Sequence, residues 1–71
     1  MKTIRELREE AGLTQFQLAL KVGVTPTTVS AWERGVYEPR ASQLRKLAEV
    51  FGVPMDQIDT VTPILEGKDA A

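Results

Sequence analysis

The sequence predicts a small all-α domain of five helices, and three observations carry that reading. Four apolar segments repeat at helical spacing, and each stops at a glycine: Gly12, Gly23, Gly35 and Gly52. Three of the four open on a threonine, Thr3, Thr14 and Thr25, a residue whose hydroxyl caps the free N–H groups of a first helical turn. With 71 residues and no cysteine, local helix packing is the most accessible way to build a core.

Helix 1 is expected over Thr3–Ala11. Thr3 and Glu6 fit a reciprocal capping box, and Ile4, Leu7 and Ala11 fall on one face. Helix 2 is expected over Gln15–Val22, with Thr14 as cap and Gln17 as its partner three residues on. Leu13 and Leu18 stand at the positions of a hydrophobic staple. Helix 3 is expected over Pro26–Arg34. Thr25 caps it, and Pro26 takes the first helical position, where a missing N–H costs nothing. Val24 and Val29 repeat the staple.

Helix 4 is expected over about Ala41–Phe51, with Leu44, Leu47, Ala48 and Phe51 as its buried stripe; Arg40 is a poor cap. A short fifth helix is expected over Met55–Val61, carrying Ile58. Residues 1–61 then form the domain. Residues 62–71 form a C-terminal tail, frayed or supporting a dimer.

The charge is unevenly spread. The net charge is −1, but the stretch Ala11–Trp32 holds no acid, and the acids gather toward the C-terminus in Glu49, Asp56, Asp59, Glu66 and Asp69. A surface built from the middle of the chain would not repel phosphates. Histidine and cysteine are absent, there is no glycine-rich phosphate loop, and the carboxylates are scattered. These features argue against an enzyme and against a metal or other cofactor. No apolar run approaches the roughly 20 residues of a membrane span, and the N-terminus lacks a signal-peptide pattern. A soluble intracellular chain is expected.

Helices 2 and 3 are joined by only Gly23, Val24 and Thr25, too short a link for antiparallel packing, so they should cross at a wide angle. Close approach needs a small residue on helix 2, which Ala19 supplies, and the turn needs positive φ, which Gly23 permits. Leu18, Val22, Val24, Val29 and Trp32 then face inward. Pro26, Thr27, Ser30 and Ala31 are left as an outer face of helix 3 that is small, hydroxylic and uncharged. Such a face can enter a DNA major groove without steric or electrostatic penalty.

At this point the chain resembles a known family. The runs Gly12-Leu13-Thr14-Gln15-Phe16-Gln17-Leu18-Ala19, Val22-Gly23-Val24, Val29-Ser30-Ala31-Trp32-Glu33-Arg34-Gly35, Leu47-Ala48 and Phe51-Gly52-Val53 resemble the Cro/C1-type (XRE) helix-turn-helix proteins of phage and bacteria. The resemblance implies a five-helix, lambda-repressor-like domain, helix 3 as the recognition helix, and a cytoplasmic transcriptional regulator. It also implies a homodimer on a two-fold operator of double-stranded DNA.

By position, the resemblance assigns Gln15 to a phosphate contact that helps orient helix 3. It places Pro26, Thr27 and Ala31 at base-reading positions, and Arg40, after Pro39, against the second strand. Arg8 and Glu33 match an ion bridge between helix 1 and the end of helix 3. Thr28 and Ser30 are candidates for phosphate or water-mediated contacts, and Arg34 joins the candidate DNA-binding set. Pro26, Thr27 and Ala31 stand where family members often carry Gln, Arg or Lys. Readout is therefore expected to lean on thymine methyls, hydroxyls, water and DNA shape.

Phe16 and Leu20 make an apolar pair at positions usually polar in the family. They are expected either to extend the core, to pack under Ile64 and Leu65, or to meet a partner protein. The rival function is a protein-interaction module on the same fold, an antitoxin or antirepressor.

Overall fold

The computed structural model describes residues 1–60. Its order is strand β1 (Lys2–Thr3), helix α1 (Ile4–Glu10), α2 (Gln15–Val22), α3 (Pro26–Arg34), α4 (Ala41–Phe51), a single 3₁₀ turn (Met55–Gln57) and strand β2 (Ile58–Asp59). The bounds of α2, α3 and α4 are those the glycines and caps dictate. Helix α1 is flanked by Thr3 as N-cap and Ala11 as C-cap.

The local chemistry is visible at each start. Thr3 Oγ1 accepts from Glu6 N at 3.1 Å while Thr3 N donates to Glu6 Oε1 at 2.9 Å. Thr14 and Gln17 repeat the exchange at 3.0 and 2.9 Å. Thr25 Oγ1 accepts from Thr28 N at 3.2 Å, with Pro26 filling the first turn. Arg40 has no acceptor to offer, so α4 keeps only the reverse half of the box, Arg40 N donating to Gln43 Oε1 at 2.8 Å.

The core gathers one apolar face from each helix. Trp32, Leu18, Leu47 and Val29 are its largest fully buried side chains, closed by Ile4, Leu7 and Ile58. Leu13 and Val24 pack against its edge, as the staples require. Leu44 and Phe51 are half-buried flanks of the α4 stripe rather than its centre. Ala11 leaves the inward face of α1 and is exposed as the C-cap.

The expected fifth helix is, among the described residues, one 3₁₀ turn followed by extended backbone. Ile58 has φ −96° and ψ 120°. Strand β2 runs parallel to β1, with Lys2 opposite Ile58 and Thr3 opposite Asp59. A helix this short cannot repay its own nucleation. Pairing with the N-terminal strand satisfies the backbone and still delivers the β-branched Ile58 to the core. Val61 and the boundary expected there lie outside the described residues, as do Ile64 and Leu65. Among the described residues, no helix is long and apolar enough to cross a membrane.

Candidate nucleic-acid interface

The pair α2 and α3 is the most closely associated in the fold. Ala19 is buried between them, so no side-chain bulk holds the helices apart. Gly23 takes φ +86° and ψ 34°, the left-handed conformation that turns the chain from one helix to the next. Gly23 N and Val24 N both donate to Ala19 O, at 2.8 and 3.0 Å, closing the last turn of α2 before α3 begins.

An ionic lock fixes this pair to α1. Arg8 Nε donates to Glu33 Oε2 at 2.6 Å and Arg8 Nη2 to Glu33 Oε1 at 3.3 Å, a forked pair with side chains only 13% and 5% exposed. Arg8 Nη1 donates to Leu13 O at 2.9 Å, which anchors the link before α2. The hydrogen bond with Glu33 raises the Arg8 pKa above its already high value; burial opposes this, and the nearby charges of Glu33 and Glu9 add to it. The guanidinium therefore stays charged at any ordinary pH.

Gln15 enters the same network: its Nε2 donates to Glu33 Oε1 at 3.0 Å. The first residue of α2 is thereby tied to the penultimate residue of α3. The amide retains a second N–H, which has no partner among the described residues. Glu33 is the only acid in α3, and Arg8 neutralises it. The remaining charge on α3 is Arg34.

The outer face of α3 differs from the expected one at a single position. Pro26, Thr27 and Arg34 are exposed, and Thr28 and Ser30 are half-exposed. Ala31 is not on this face: it is 4% exposed, leaving it no side-chain surface to press against a base. Its carbonyl is engaged as well, accepting from Val36 N at 2.9 Å where the chain leaves the helix. The face therefore turns from Ala31 toward Ser30 and Arg34. Pro26, Thr27, Ser30 and Arg34 lie within an arc of about 100° on a regular helix.

Two side-chain bonds order that face. Thr25 Oγ1 and Thr28 Oγ1 share a hydrogen bond at 3.0 Å, and Arg34 Nε donates to Ser30 Oγ at 3.2 Å. Arg40 is exposed at the start of α4. Tyr37, in the same link between α3 and α4, is exposed too, and the sequence reading passes over it. The signal was available: an aromatic ring with a hydroxyl handle, three residues before Arg40 in a short connection.

Two helices locked through a small contact and a left-handed glycine, with the second helix presenting a hydroxylic, acid-free face, define a helix-turn-helix of the DNA-binding class. The chain belongs to the helix-turn-helix family of Cro/C1 type, whose family model matches residues 4–58.

Several proteins similar to it are named as regulators of transcription. It is 38% identical over 55 residues to the "Cryptic phage CTXphi transcriptional repressor RstR" of Vibrio cholerae, covering 78% of this chain and 50% of that protein. It is 47% identical over 49 residues to an HTH-type transcriptional regulator of Methanothermobacter thermautotrophicus, covering 69% of this chain and 71% of that one. The regulator YgzD of Bacillus subtilis is 36% identical over 55 residues, 78% of this chain and 83% of YgzD. The chain thus spans half the length of the Vibrio repressor and over two thirds of the other two. DNA-binding transcriptional regulation is the function of this family and of this chain.

Proposed function

We propose that the chain represses transcription by laying α3 in the major groove of an operator, as a homodimer with one α3 in each half-site. The observation that carries this is the outward, acid-free stripe of exposed Pro26, Thr27 and Arg34 with half-exposed Ser30, held in place by the Arg8–Glu33–Gln15 network. Gln15 gives its second amide N–H to a phosphate. Thr28 and Arg40 take further backbone contacts, and Pro26 and Thr27 meet base edges and thymine methyls. One α3 covers only a short half-site, so specificity calls for two copies about one helical turn of DNA apart. Repression by occupancy needs no contact beyond DNA. The cytoplasm, where such DNA lies, is the place of action.

Selection from random double-stranded DNA, followed by salt titration, tests this. A two-fold consensus is expected, with affinity falling steeply and log-linearly as salt rises, by about 0.9 in slope per phosphate neutralised. Sedimentation on the selected operator should show two chains per site. A flat salt response, or one chain per site at micromolar concentration, sinks the respective part.

A second reading is supported by Phe16 and Leu20, which stand 59% and 67% exposed on α2. They do not extend the core, so that expectation is set aside. An apolar pair four residues apart on an exposed helix face suits a contact with a partner protein during regulation, beside DNA binding rather than in place of it. The double variant Phe16→Ser, Leu20→Ser should fold and bind operator as before but lose regulation in the cell. Unchanged regulation removes this reading.

A further inference from the structure

We propose that Arg34 reads a guanine in each half-site and that Ser30 is its positioning residue. The inference rests on the DNA-binding reading above and deepens it.

Arg34 lies one turn beyond Ser30, and the bond from its Nε to Ser30 Oγ at 3.2 Å folds the side chain back along α3. Helical side chains lean toward the N-terminus, so this fold-back follows their natural direction. It brings the guanidinium back over Ser30, on the side of α3 that Thr27 shares. With Nε engaged, the Nη1–Nη2 edge is the free edge of the plane, and it has no partner among the described residues. Glu33, the adjacent acid, is taken by Arg8 and Gln15 and does not draw Arg34 aside.

A planar pair of donors with full charge matches two chemistries on DNA: the O6 and N7 of guanine, or two phosphate oxygens. The tether favours the base. A phosphate contact is best served by a side chain left free to reach outward, whereas fixing the guanidinium over the groove-facing stripe lowers the ordering cost of one defined geometry. The rest of the stripe leaves this role open. Pro26 and Thr27 cannot make a two-pronged bond to a purine, and Ala31 is buried. The reader of the groove is thus displaced along the helix, from the position Ala31 vacates to Arg34.

The full chain and its Arg34→Ala, Arg34→Lys, Ser30→Ala and Ser30→Thr variants are put through the same selection and salt titration. Wild type should fix a guanine at one position of each half-site. Arg34→Ala should relax that position alone, by about 5- to 150-fold in discrimination. Arg34→Lys should keep general DNA affinity yet fail to restore the guanine, because an ammonium is a point donor. Ser30→Ala should weaken the same preference and Ser30→Thr retain it.

The opposite pattern overturns the proposal. In it, Arg34→Ala weakens all sequences alike, lowers the salt slope by about 1, and Arg34→Lys repairs both, which marks a phosphate contact. A guanine preference indifferent to Ser30→Ala overturns the positioning role. If wild type enriches no sequence, the DNA-binding reading falls and this one with it. If a consensus appears but is blind to Arg34, this one falls alone.

Discussion

Gln15 Nε2 donates to Glu33 Oε1 at 3.0 Å, joining the start of α2 to the end of α3 at the opposite side from their Gly23 link. Two helices held at both ends cannot pivot, so the outer face of α3 keeps one orientation. The same carboxylate takes both prongs of Arg8, which brings α1 into the lock. A residue proposed to contact DNA is therefore also part of the scaffold that aims the recognition helix.

The Arg8–Glu33 pair should behave as a largely buried ion pair. Removing either partner by Arg8→Ala or Glu33→Ala strands the other charge, with an expected loss of about 3–5 kcal/mol. The double variant should lose less than the two singles together, with a coupling energy of about 0.5–3 kcal/mol. Urea unfolding followed by Trp32, the one tryptophan of the chain, measures the cycle. Coupling near zero would mean that the geometry holds without energetic consequence.

Gly23→Ala should cost about 1–2 kcal/mol, and Gly23→Asn less. A methyl at Gly23 would meet nothing within 4 Å, so the whole penalty comes from forcing φ +86° on a residue with a Cβ. Thermal unfolding of the two variants checks the order. A larger loss for Asn would contradict a purely conformational origin.

Thr14→Ala and Thr25→Ala each remove an N-cap and should each cost about 1 kcal/mol of stability. Their effects on DNA should differ. Thr25 also shares a hydrogen bond with the Thr28 hydroxyl on the recognition helix, whereas the Thr14 hydroxyl, among the described residues, bonds only Gln17 N. Operator affinity, corrected for the folded fraction, is expected to fall for Thr25→Ala and hold for Thr14→Ala. Equal effects would show that Thr28 needs no such support.

Ile58→Val should lose about 0.5–1.5 kcal/mol and Ile58→Ala about 2–5 kcal/mol, values typical of a well-packed core site. The second loss is enough to unfold much of a domain this small. Ile58 is buried although it lies outside every α-helix, and β1 pairs beside it. Denaturant midpoints measure both variants. A surface-like loss, under about 0.5 kcal/mol, would show that the β1–β2 pairing is incidental.

Much of this fold was legible because its signals are local. Thr14, Gln17 and Gly23 bound α2, and Thr25, Pro26 and Gly35 bound α3, through caps and positive-φ turns that act within a few residues. Arg8 and Glu33 were brought together in advance only by resemblance. Twenty-five positions apart, nothing in their own surroundings says that they meet.

The sequence by itself determined the four helices, their inward faces and the helix-turn-helix, since periodicity and capping are properties of neighbouring residues. Only the tertiary structure decided that residues 58–59 would extend and pair with the N-terminus, and that Ala31 would be buried. It also decided that Arg34 would fold back on Ser30 and that one carboxylate would bind three helices together. Each of these depends on which surfaces come to face one another. That is fixed by the sum of packing over the whole chain, not by the preferences of any stretch of it.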